Sequence, residues 1–351
     1  MSTNDDYYIE ILNNISIYLY RYGNLAIYIL GNIGNLLSIL IFSRKPWKKN
    51  VCVFYFITFL ILSCIYLNSI ILGTALINGF DINVQNSNAL LCKLFHYVGI
   101  FSSTLLPTVI ILASIDRLLI SSQNVDTRLY SSKRLAYFSI SLSALFWLFF
   151  HIHLLIKVNI QQIGSSDWIC DFDLSGSYIY FVNYSLMTFN CLFCLLMIIL
   201  SILAFKNVRY IRCTPRHQRK QIRSMTKKDF QLIRCLFVLV IVYISVSIAP
   251  TLNSVYTTAT KNQIRTPLQD ETVYFIANLF VFIYFTFYCS NFFIFLIVSK
   301  AFRYELKRIF FKLFDNDLAV LTEEENIQKN NEHLNVTVVN TIEIPFCCEN
   351  K

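Results

Sequence analysis

An acid and a base stand side by side at the end of the third apolar run of the chain. The stretch VIILASIDRLLISS, residues 109–122, contains Asp116 and Arg117 and no other charged residue. Opposite charges attract strongly where the effective dielectric constant is low, so these two side chains are expected to form an ion pair. Such a pair has either a functional role or the plain role of anchoring a helix end at a membrane interface.

Other groups that could do chemistry are sparse in the apolar runs. No aspartate or glutamate lies in the interior of a run. This argues against an ion-coupled transporter, which usually needs carboxylates at the membrane midplane. His151 and His153 are interpreted as interfacial polar residues, and no His/Glu cluster has the spacing of metal ligands. We therefore expect no metal site, no cofactor and no enzymatic activity.

The elements that must position these residues are long apolar helices. The chain has 351 residues, of which 56% are hydrophobic and 15% charged, whereas about 25% are charged in soluble domains. Apolar segments of this length cross a bilayer as helices, which satisfy their own backbone groups. There are seven, at about 22–43, 51–77, 94–120, 135–157, 178–205, 231–257 and 272–299. The predicted fold is an all-α integral membrane bundle of seven transmembrane helices.

The distribution of basic residues orients the predicted bundle. With the N-terminus outside, the inner segments 43–50, 117–134, 206–228 and the tail from residue 300 carry 24 of the 30 lysines and arginines. This bias follows the positive-inside rule, so the net charge of +9 reflects the orientation of the bundle across the membrane. No nucleic-acid partner is expected. The third inner segment would face anionic lipid. Its basic residues include Arg209, Arg212, Arg216, Arg219, Lys220 and Arg223.

The cysteines and sequons agree with this orientation. Of eleven cysteines, Cys92 and Cys170 face the outer, oxidising side, where a disulfide can persist. Residues 1–21 are the expected extracellular N-terminus. They contain the sequon Asn14-Ile15-Ser16, which makes Asn14 a glycosylation candidate.

The C-terminal part divides into two segments. Residues 300–314, KAFRYELKRIFFKLF, carry one apolar stripe flanked by Lys and Arg, which predicts an amphipathic eighth helix on the inner leaflet. The stripe is formed by Phe302, Leu306, Ile309, Phe310 and Leu313. Residues 315–351 are polar and predict a disordered cytoplasmic tail.

The order and spacing of several residues resemble those of rhodopsin-like G-protein-coupled receptors. Cys92 opens the third span and Asp116-Arg117 closes it. Further positions similar to family landmarks are Asn35 in GNIGN, Trp147 in the fourth span, Cys170 as the partner of Cys92, Pro250 in the sixth span, Asn291 in the seventh span and Phe302 at the start of the eighth helix. The resemblance covers about residues 22–312 and implies a seven-transmembrane receptor domain over residues 22–314.

The resemblance also implies a mechanism. Arg117 would be held at rest by Asp116, and the sixth helix would swing outward about Pro250, where a backbone hydrogen bond is missing. Arg117 would then leave Asp116 and help to form a pocket for a heterotrimeric G protein. Some basic residues of the third inner segment would contact the same protein.

The chain departs from the family pattern at several switch positions. Ser63 stands where the second span usually has a buried aspartate, so an allosteric sodium site is doubtful. The sixth-span motif reads SIAP, with Ser247 in place of a cysteine, and Leu118 replaces the tyrosine after Asp-Arg. The seventh-span motif reads NFFIF, with Phe292 for proline and Phe295 for tyrosine. Phe295 cannot donate the hydroxyl hydrogen bond made in relatives, so the switching network is rebuilt or coupling is weak.

Exclusions narrow the ligand class. The seventh span has no lysine for a retinal Schiff base, and the outer half of the third span has no carboxylate for an amine. Three acids, Asp167, Asp171 and Asp173, surround Cys170 and would steer a cationic ligand. The alternative interpretation is that these acids only keep the outer surface soluble and contact no ligand. A general likeness to invertebrate FMRFamide-type neuropeptide receptors favours a short peptide.

The sequence therefore predicts a multi-pass receptor of the plasma membrane with its N-terminus outside. It would transmit the binding of an extracellular ligand, with a short neuropeptide favoured, to a heterotrimeric G protein. The alternatives are a seven-span chemosensory receptor for small molecules, a transporter or channel, and a decoy that binds ligand without signalling.

Overall fold

Seven long helices, α1 to α7, form most of the molecule. The structure is a computed structural model, and it describes residues 3–48, 50–122, 127, 130–163, 167–172, 178–213, 227–260 and 263–314. The helices are α1 (Thr3–Tyr18, Leu19–Asn24 and Leu25–Phe42), α2 (Val51–Tyr66, Leu67–Ile71, Leu72–Thr74 and Ala75–Gly79), α3 (Ala89–Ile120), α4 (Lys133–Phe150 and Ile152–Lys157), α5 (Tyr178–Cys213), α6 (Lys227–Ala259) and α7 (Pro267–Val298). The shorter elements are a helical turn (Lys45–Lys48), a 3₁₀ turn (Val84–Ser87), the strands β1 (Val158–Ile163) and β2 (Asp167–Phe172), and the helix α8 (Lys300–Phe314).

The long helices are apolar on their outward faces as well as in the core. All seven are long and apolar enough to cross a membrane. Large apolar side chains such as Leu40, Phe149 and Ile202 are more than half exposed. A helix that is apolar all round is unfavourable in water and suited to lipid. The chain is therefore built as a multi-pass helical membrane protein, as the sequence predicted.

The centre of the bundle is α3. It packs against α2, α4, α5 and α6, while α1 packs against α2 and α7, and α6 against α5 and α7. Below, the end of the bundle that holds Cys92 is called the disulfide end, and the opposite end is called the Arg117 end. Helix α3 therefore runs from one end of the bundle to the other in contact with four other helices.

The first helix starts much earlier than its apolar segment. We expected a span at about 22–43, but α1 begins at Thr3 and continues through a π-helical turn at Leu19–Asn24. Tyr20 donates a 2.9 Å hydrogen bond to Asn278 of α7, and Arg21 Nε donates a 2.6 Å bond to the carbonyl of Gly79 in α2. Residues 3–21 are thus helical and tied to the bundle. This order depends on contacts with α2 and α7, which the local sequence does not show.

A two-stranded hairpin, which the sequence did not predict, lies between α4 and α5 of the helical bundle. Strands β1 and β2 are antiparallel, with Val158 opposite Phe172 and Ile160 opposite Cys170. Cys170 forms a disulfide with Cys92 in the first turn of α3, with the two Cα atoms 5.5 Å apart. The disulfide holds the hairpin against the bundle at the disulfide end.

Helix α8 follows directly after α7. Three residues of its apolar stripe, Phe302, Leu306 and Ile309, are buried in the main core, whereas Phe310 is exposed. A polar contact also holds the junction between α7 and α8, because the Ser299 hydroxyl donates a hydrogen bond to the Gln231 side chain of α6 (2.9 Å). Part of the predicted membrane-facing stripe therefore packs on the bundle instead. Its position on the inner leaflet stays a prediction.

Candidate functional site

The side chain of Arg117 is buried at the end of α3 and bonded to its neighbour in sequence. Arg117 is 1% exposed and Asp116 is 4% exposed. Arg117 Nε and Nη2 donate to Asp116 Oδ2 at 3.0 and 2.5 Å. The structure thus gives the ion pair that the sequence indicated, and its burial argues against a mere interfacial anchor, whose charged group would face water or headgroups.

A second carboxylate, from α6, faces the same guanidinium. Asp229 Oδ1 lies 3.5 Å from Arg117 Nη1. The sequence analysis did not single out Asp229. This residue follows two lysines in the segment KKDF, and the segment was interpreted only as part of a basic inner loop. An acid among bases at the start of an apolar run was the available signal. The result is a contact in which one cation joins α3 to α6.

Asn50 connects the same charges to α2. Its Nδ2 donates to Asp229 Oδ1 at 2.5 Å, and its Oδ1 lies 3.4 Å from Arg117 Nη2. The same oxygen accepts from the backbone N–H of Cys52 at 2.9 Å and so caps the first turn of α2. One asparagine therefore links a helix terminus to the ion pairs, a role that sequence reasoning did not find.

The remaining oxygen of Asp116 is also bonded. Ser131 Oγ donates to Asp116 Oδ1 at 2.5 Å, just before α4 begins. The charged cluster therefore consists of Asn50, Asp116, Arg117, Ser131 and Asp229, drawn from four parts of the chain. Two carboxylates around one buried guanidinium, each with further hydrogen bonds, offset the cost of removing these charges from water. Loss of one contact would leave a buried charge short of partners, which is destabilising.

The predicted residues Asn35 and Asn291 meet in the core. Both are fully buried. Asn291 Nδ2 lies 3.3 Å from Asn35 Oδ1 and 3.4 Å from the Ser63 hydroxyl, and Asn35 donates to the Tyr288 carbonyl (3.1 Å). These bonds tie α1, α2 and α7 together. With a serine at position 63, this core site is neutral.

Trp147 joins α4 to α3. It is 5% exposed, and its indole N–H donates to the Thr108 hydroxyl at 3.0 Å. Its ring stacks on His151 with the centroids 5.5 Å apart. The second histidine of this region is His153, and its Nδ1 atom lies 2.5 Å from the Tyr178 hydroxyl.

Among the residues that the structure describes, no group of three or more His, Cys, Asp or Glu side chains could hold a metal ion.

Pro250 lies inside α6, and the helix around it is bonded to α5. Proline lacks the N–H that would close the preceding helical turn. Asn190 of α5 donates to the Thr251 hydroxyl (2.5 Å) and accepts from Tyr243 of α6 (3.0 Å). The Ser247 carbonyl accepts from Thr251 at 2.7 Å. The predicted hinge is therefore fastened to α5 on both sides of the proline by residues that sequence reasoning did not single out.

Phe295 is packed in an aromatic cluster. It is 0% exposed, and its ring centroid lies 5.0 Å from that of Phe42, 5.2 Å from Phe56 and 5.8 Å from Phe302. Trp47 adds an edge-on contact with Phe42 at 5.5 Å. Where a tyrosine hydroxyl was expected from the resemblance, the chain has apolar contacts among α1, α2, α7 and α8. This end of α7 is held by packing in place of a hydrogen bond.

Two cavities lie at opposite ends of the bundle. The disulfide-end cavity has a volume of about 340 Å³ and is lined by residues of α2, α3, α5, α6 and α7. The Arg117-end cavity has a volume of about 460 Å³, and its lining includes Arg117, Phe230 and Leu200. Pro250 lines the first cavity, and Arg117 lines the second. Packed helices therefore separate the disulfide-end cavity from the charged cluster.

The predicted acidic mouth is described only in part. The carboxylate of Asp171 accepts a 2.7 Å hydrogen bond from the backbone N–H of Phe172. Asp173 and the side chain of Asp167 lie outside the described part of the chain. Asp171 is not among the described residues that line the disulfide-end cavity. The structure thus does not bring the described acid, Asp171, into that cavity.

The other surface predictions fall mostly outside the described residues. Arg216, Arg219, Lys220 and Arg223, and the tail at 315–351, are not described. The same holds for the side chains of Arg209 and Arg212 at the end of α5. Asn14 is exposed on the N-terminal part of α1. Its glycosylation stays a prediction.

No family model matches the chain, and no curated protein matches it. The function is therefore proposed from the geometry of the charged cluster and the cavities.

Proposed function

We propose that the chain is a G-protein-coupled receptor of the rhodopsin-like type. The observation that carries the proposal is the contact of Arg117 with carboxylates of two helices, its own Asp116 and Asp229 of α6. A cation shared in this way resists separation of α6 from α3. A resting receptor needs such a restraint at the end of the bundle where a G protein would bind.

The signal would pass from the disulfide end to the Arg117 end along α6. A ligand in the disulfide-end cavity would contact α6 at Pro250 and Thr251. Outward movement of α6 would separate Asp229 from Arg117 and enlarge the Arg117-end cavity for the G protein. The ligand supplies the required energy only by binding the moved state more tightly than the resting one.

Location and partners follow from the same proposal. The Arg117 end would face the cytoplasm, where basic residues are concentrated, and the N-terminus would lie outside the plasma membrane. An extracellular ligand, with a short peptide favoured, and a heterotrimeric G protein are the proposed partners. A chemosensory receptor for small molecules would use the same restraint and differ only in its ligand.

Two substitutions in the full-length protein in lipid nanodiscs test the restraint. Asp229→Asn weakens the attraction to Arg117, and we expect basal nucleotide exchange on a G protein to rise about tenfold, which corresponds to ~1.4 kcal/mol. Arg117→Ala should abolish exchange. The readout is GTP-analogue uptake by a panel of G-protein subtypes.

Asp270→Asn is the matched control, because Asp270 pairs with Arg265 near the start of α7 and is 63% exposed. This control should leave exchange unchanged. The receptor function is wrong if neither Asp229→Asn nor Arg117→Ala changes exchange with any subtype. A transporter or channel would instead show solute flux that does not depend on Arg117.

A further inference from the structure

We infer that the part of a ligand that enters the disulfide-end cavity is uncharged, donates hydrogen bonds and carries an aromatic ring. The inference names the ligand class of the proposed receptor site, and so rests on the proposed function. It differs from the sequence expectation, in which acids around Cys170 favour a cation.

The described lining of the cavity offers no counter-charge for an ion. Of the sixteen described residues that line it, none is Asp, Glu, Lys, Arg or His. They are Tyr66, Ser103, Thr104, Asn183, Leu186, Met187, Phe189, Asn190, Phe193, Tyr243, Pro250, Thr251, Ser254, Val281, Tyr284 and Phe285. An ion that leaves water for such a site loses its hydration and gains no opposite charge. Binding therefore selects against charged groups of either sign.

Three hydroxyl groups in the cavity wall already donate and are left as acceptors. Ser103 donates its hydroxyl hydrogen to the Ile100 carbonyl (2.9 Å), and Ser254 donates to the Pro250 carbonyl (3.0 Å). Thr251 donates to the Ser247 carbonyl at 2.7 Å. Each hydroxyl has one hydrogen, and these bonds use it. The oxygens keep lone pairs, so a ligand matches them by donating.

The hydrogen-bonded group of Asn190 adds to the same preference. Tyr243 gives its only hydroxyl hydrogen to Asn190 Oδ1, and the Asn190 amide donates to the Thr251 oxygen. The Tyr243 phenol oxygen remains as a further acceptor. Neutral N–H or O–H groups, as in a carboxamide, supply donors without bringing a charge.

Aromatic side chains form part of the cavity wall. The rings of Phe189 and Phe193 on α5 are stacked with their centroids 6.3 Å apart, and Tyr66 and Phe285 meet edge to face at 6.1 Å on the α2–α7 side. Offset or edge-to-face contacts with such rings favour an aromatic group in the ligand. A primary amide joined to a phenyl ring combines all three properties.

A matched series of three small molecules tests the inference without a known ligand. The probes are 3-phenylpropionamide, 3-phenylpropionate and 3-phenylpropylammonium, which share a skeleton and differ in charge. Affinities are measured by ligand-observed NMR on the full-length protein in nanodiscs, with empty nanodiscs subtracted. We expect the amide to bind at least tenfold more tightly than either ion.

A charge placed in the cavity should reverse this order. Ser103→Asp adds a carboxylate at a position whose hydroxyl bonds only to its own helix, and should strengthen ammonium binding at least tenfold. Asn253→Asp is the control, because Asn253 lines a separate groove with Tyr256 and Leu268. That variant should keep the order of the unmodified protein.

Each outcome decides the inference. Equal or tighter binding of an ion, or no binding of any probe, shows that the ligand class is wrong. An unchanged order in Ser103→Asp shows that the amide binds elsewhere. The assay contains no G protein, so amide binding together with inert Arg117 and Asp229 variants would reject the receptor function and keep the ligand class.

Discussion

Single residues at the Arg117 end show what surrounds a position at which the chain departs from the family pattern. Phe295 stands where the resemblance leads one to expect a tyrosine, and its surroundings are aromatic and apolar. Phe42, Phe56 and Phe302 surround the ring at centroid distances of 5.0–5.8 Å. The missing hydroxyl is therefore compensated by apolar packing. The sequence shows only that Phe295 lacks a hydroxyl, whereas the packing that replaces the hydrogen bond comes from three other phenylalanines.

Restoring the tyrosine should harm the protein. Phe295→Tyr places a hydroxyl in an apolar cluster, and we expect a loss of about 1–3 kcal/mol in the free energy of unfolding. Thermal unfolding in nanodiscs measures it. The same substitution at Phe293, which is 43% exposed, is the control and should change little. A Phe295→Tyr variant as stable as its control would show that the cluster tolerates a hydroxyl.

The residues of the charged cluster show how far sequence reasoning reaches. Asp116 and Arg117 are adjacent in sequence, and their position at the end of an apolar run pointed to an ion pair. Asp229 and Asn50 lie 112 and 67 positions from Arg117, and no local pattern links them to it. Their bonds arise only when α2, α3 and α6 meet, so they could not be predicted from spacing.

At the scale of elements, Asn50 couples the start of α2 to the movement proposed for α6. It caps α2 through the Cys52 N–H and donates to Asp229. If α6 moves away, Asn50 keeps the cap but loses its acidic partner. In the proposed movement the start of α2 would thus lose its contact with α6, while the first turn of α2 would stay capped.

Replacing Asn50 should have two effects. Asn50→Ala removes the cap, which costs about 0.5–2 kcal/mol of stability. It also removes the hydrogen bond from Asn50 to Asp229, which weakens the restraint on α6 and should raise basal nucleotide exchange. Ser132→Ala is the matched control, because Ser132 caps α4 by accepting from Leu135 N–H (3.3 Å). It should reduce the melting temperature without raising exchange. If both variants behave alike, Asn50 is only a cap.

At the scale of the whole molecule, the disulfide joins the hairpin to the central helix. Cys92 and Cys170 are 78 positions apart in sequence. A bridge that closes a loop of this length restricts the unfolded chain, which corresponds to about 4–5 kcal/mol in the chain-entropy model. The same bridge places the hairpin beside α3, whose Ser103 and Thr104 line the disulfide-end cavity.

Removing the bridge should weaken both stability and binding. Cys170→Ser should lower the melting temperature by several degrees and reduce the affinity for 3-phenylpropionamide. Cys191→Ser is the control, because Cys191 is a free, exposed cysteine on α5. Equal melting temperatures for the two variants would show that the disulfide does not stabilise the bundle.

The bundle itself was more predictable than its ends. Hydropathy gave the seven helices, since apolar runs of this length have few other solutions in a membrane. It did not give the start of α1 at Thr3, because residues such as Asp5, Asp6 and Asn13 carry no apolar signal. Nor did it give the hairpin, whose strands are short and are held by Cys170.

The length of α1 has a geometric consequence. Its 39 residues from Asn4 to Phe42 span about 58 Å at a rise of 1.5 Å per residue, roughly twice the thickness of the hydrocarbon layer. About half of the helix is therefore longer than the layer needs, and this half packs against α7 over Thr3–Tyr18. The first and seventh helices are thus held together beyond the hydrocarbon layer as well as within it. Spin labels near Asp5 and at the start of α7 would report this contact as one short, narrow distance distribution.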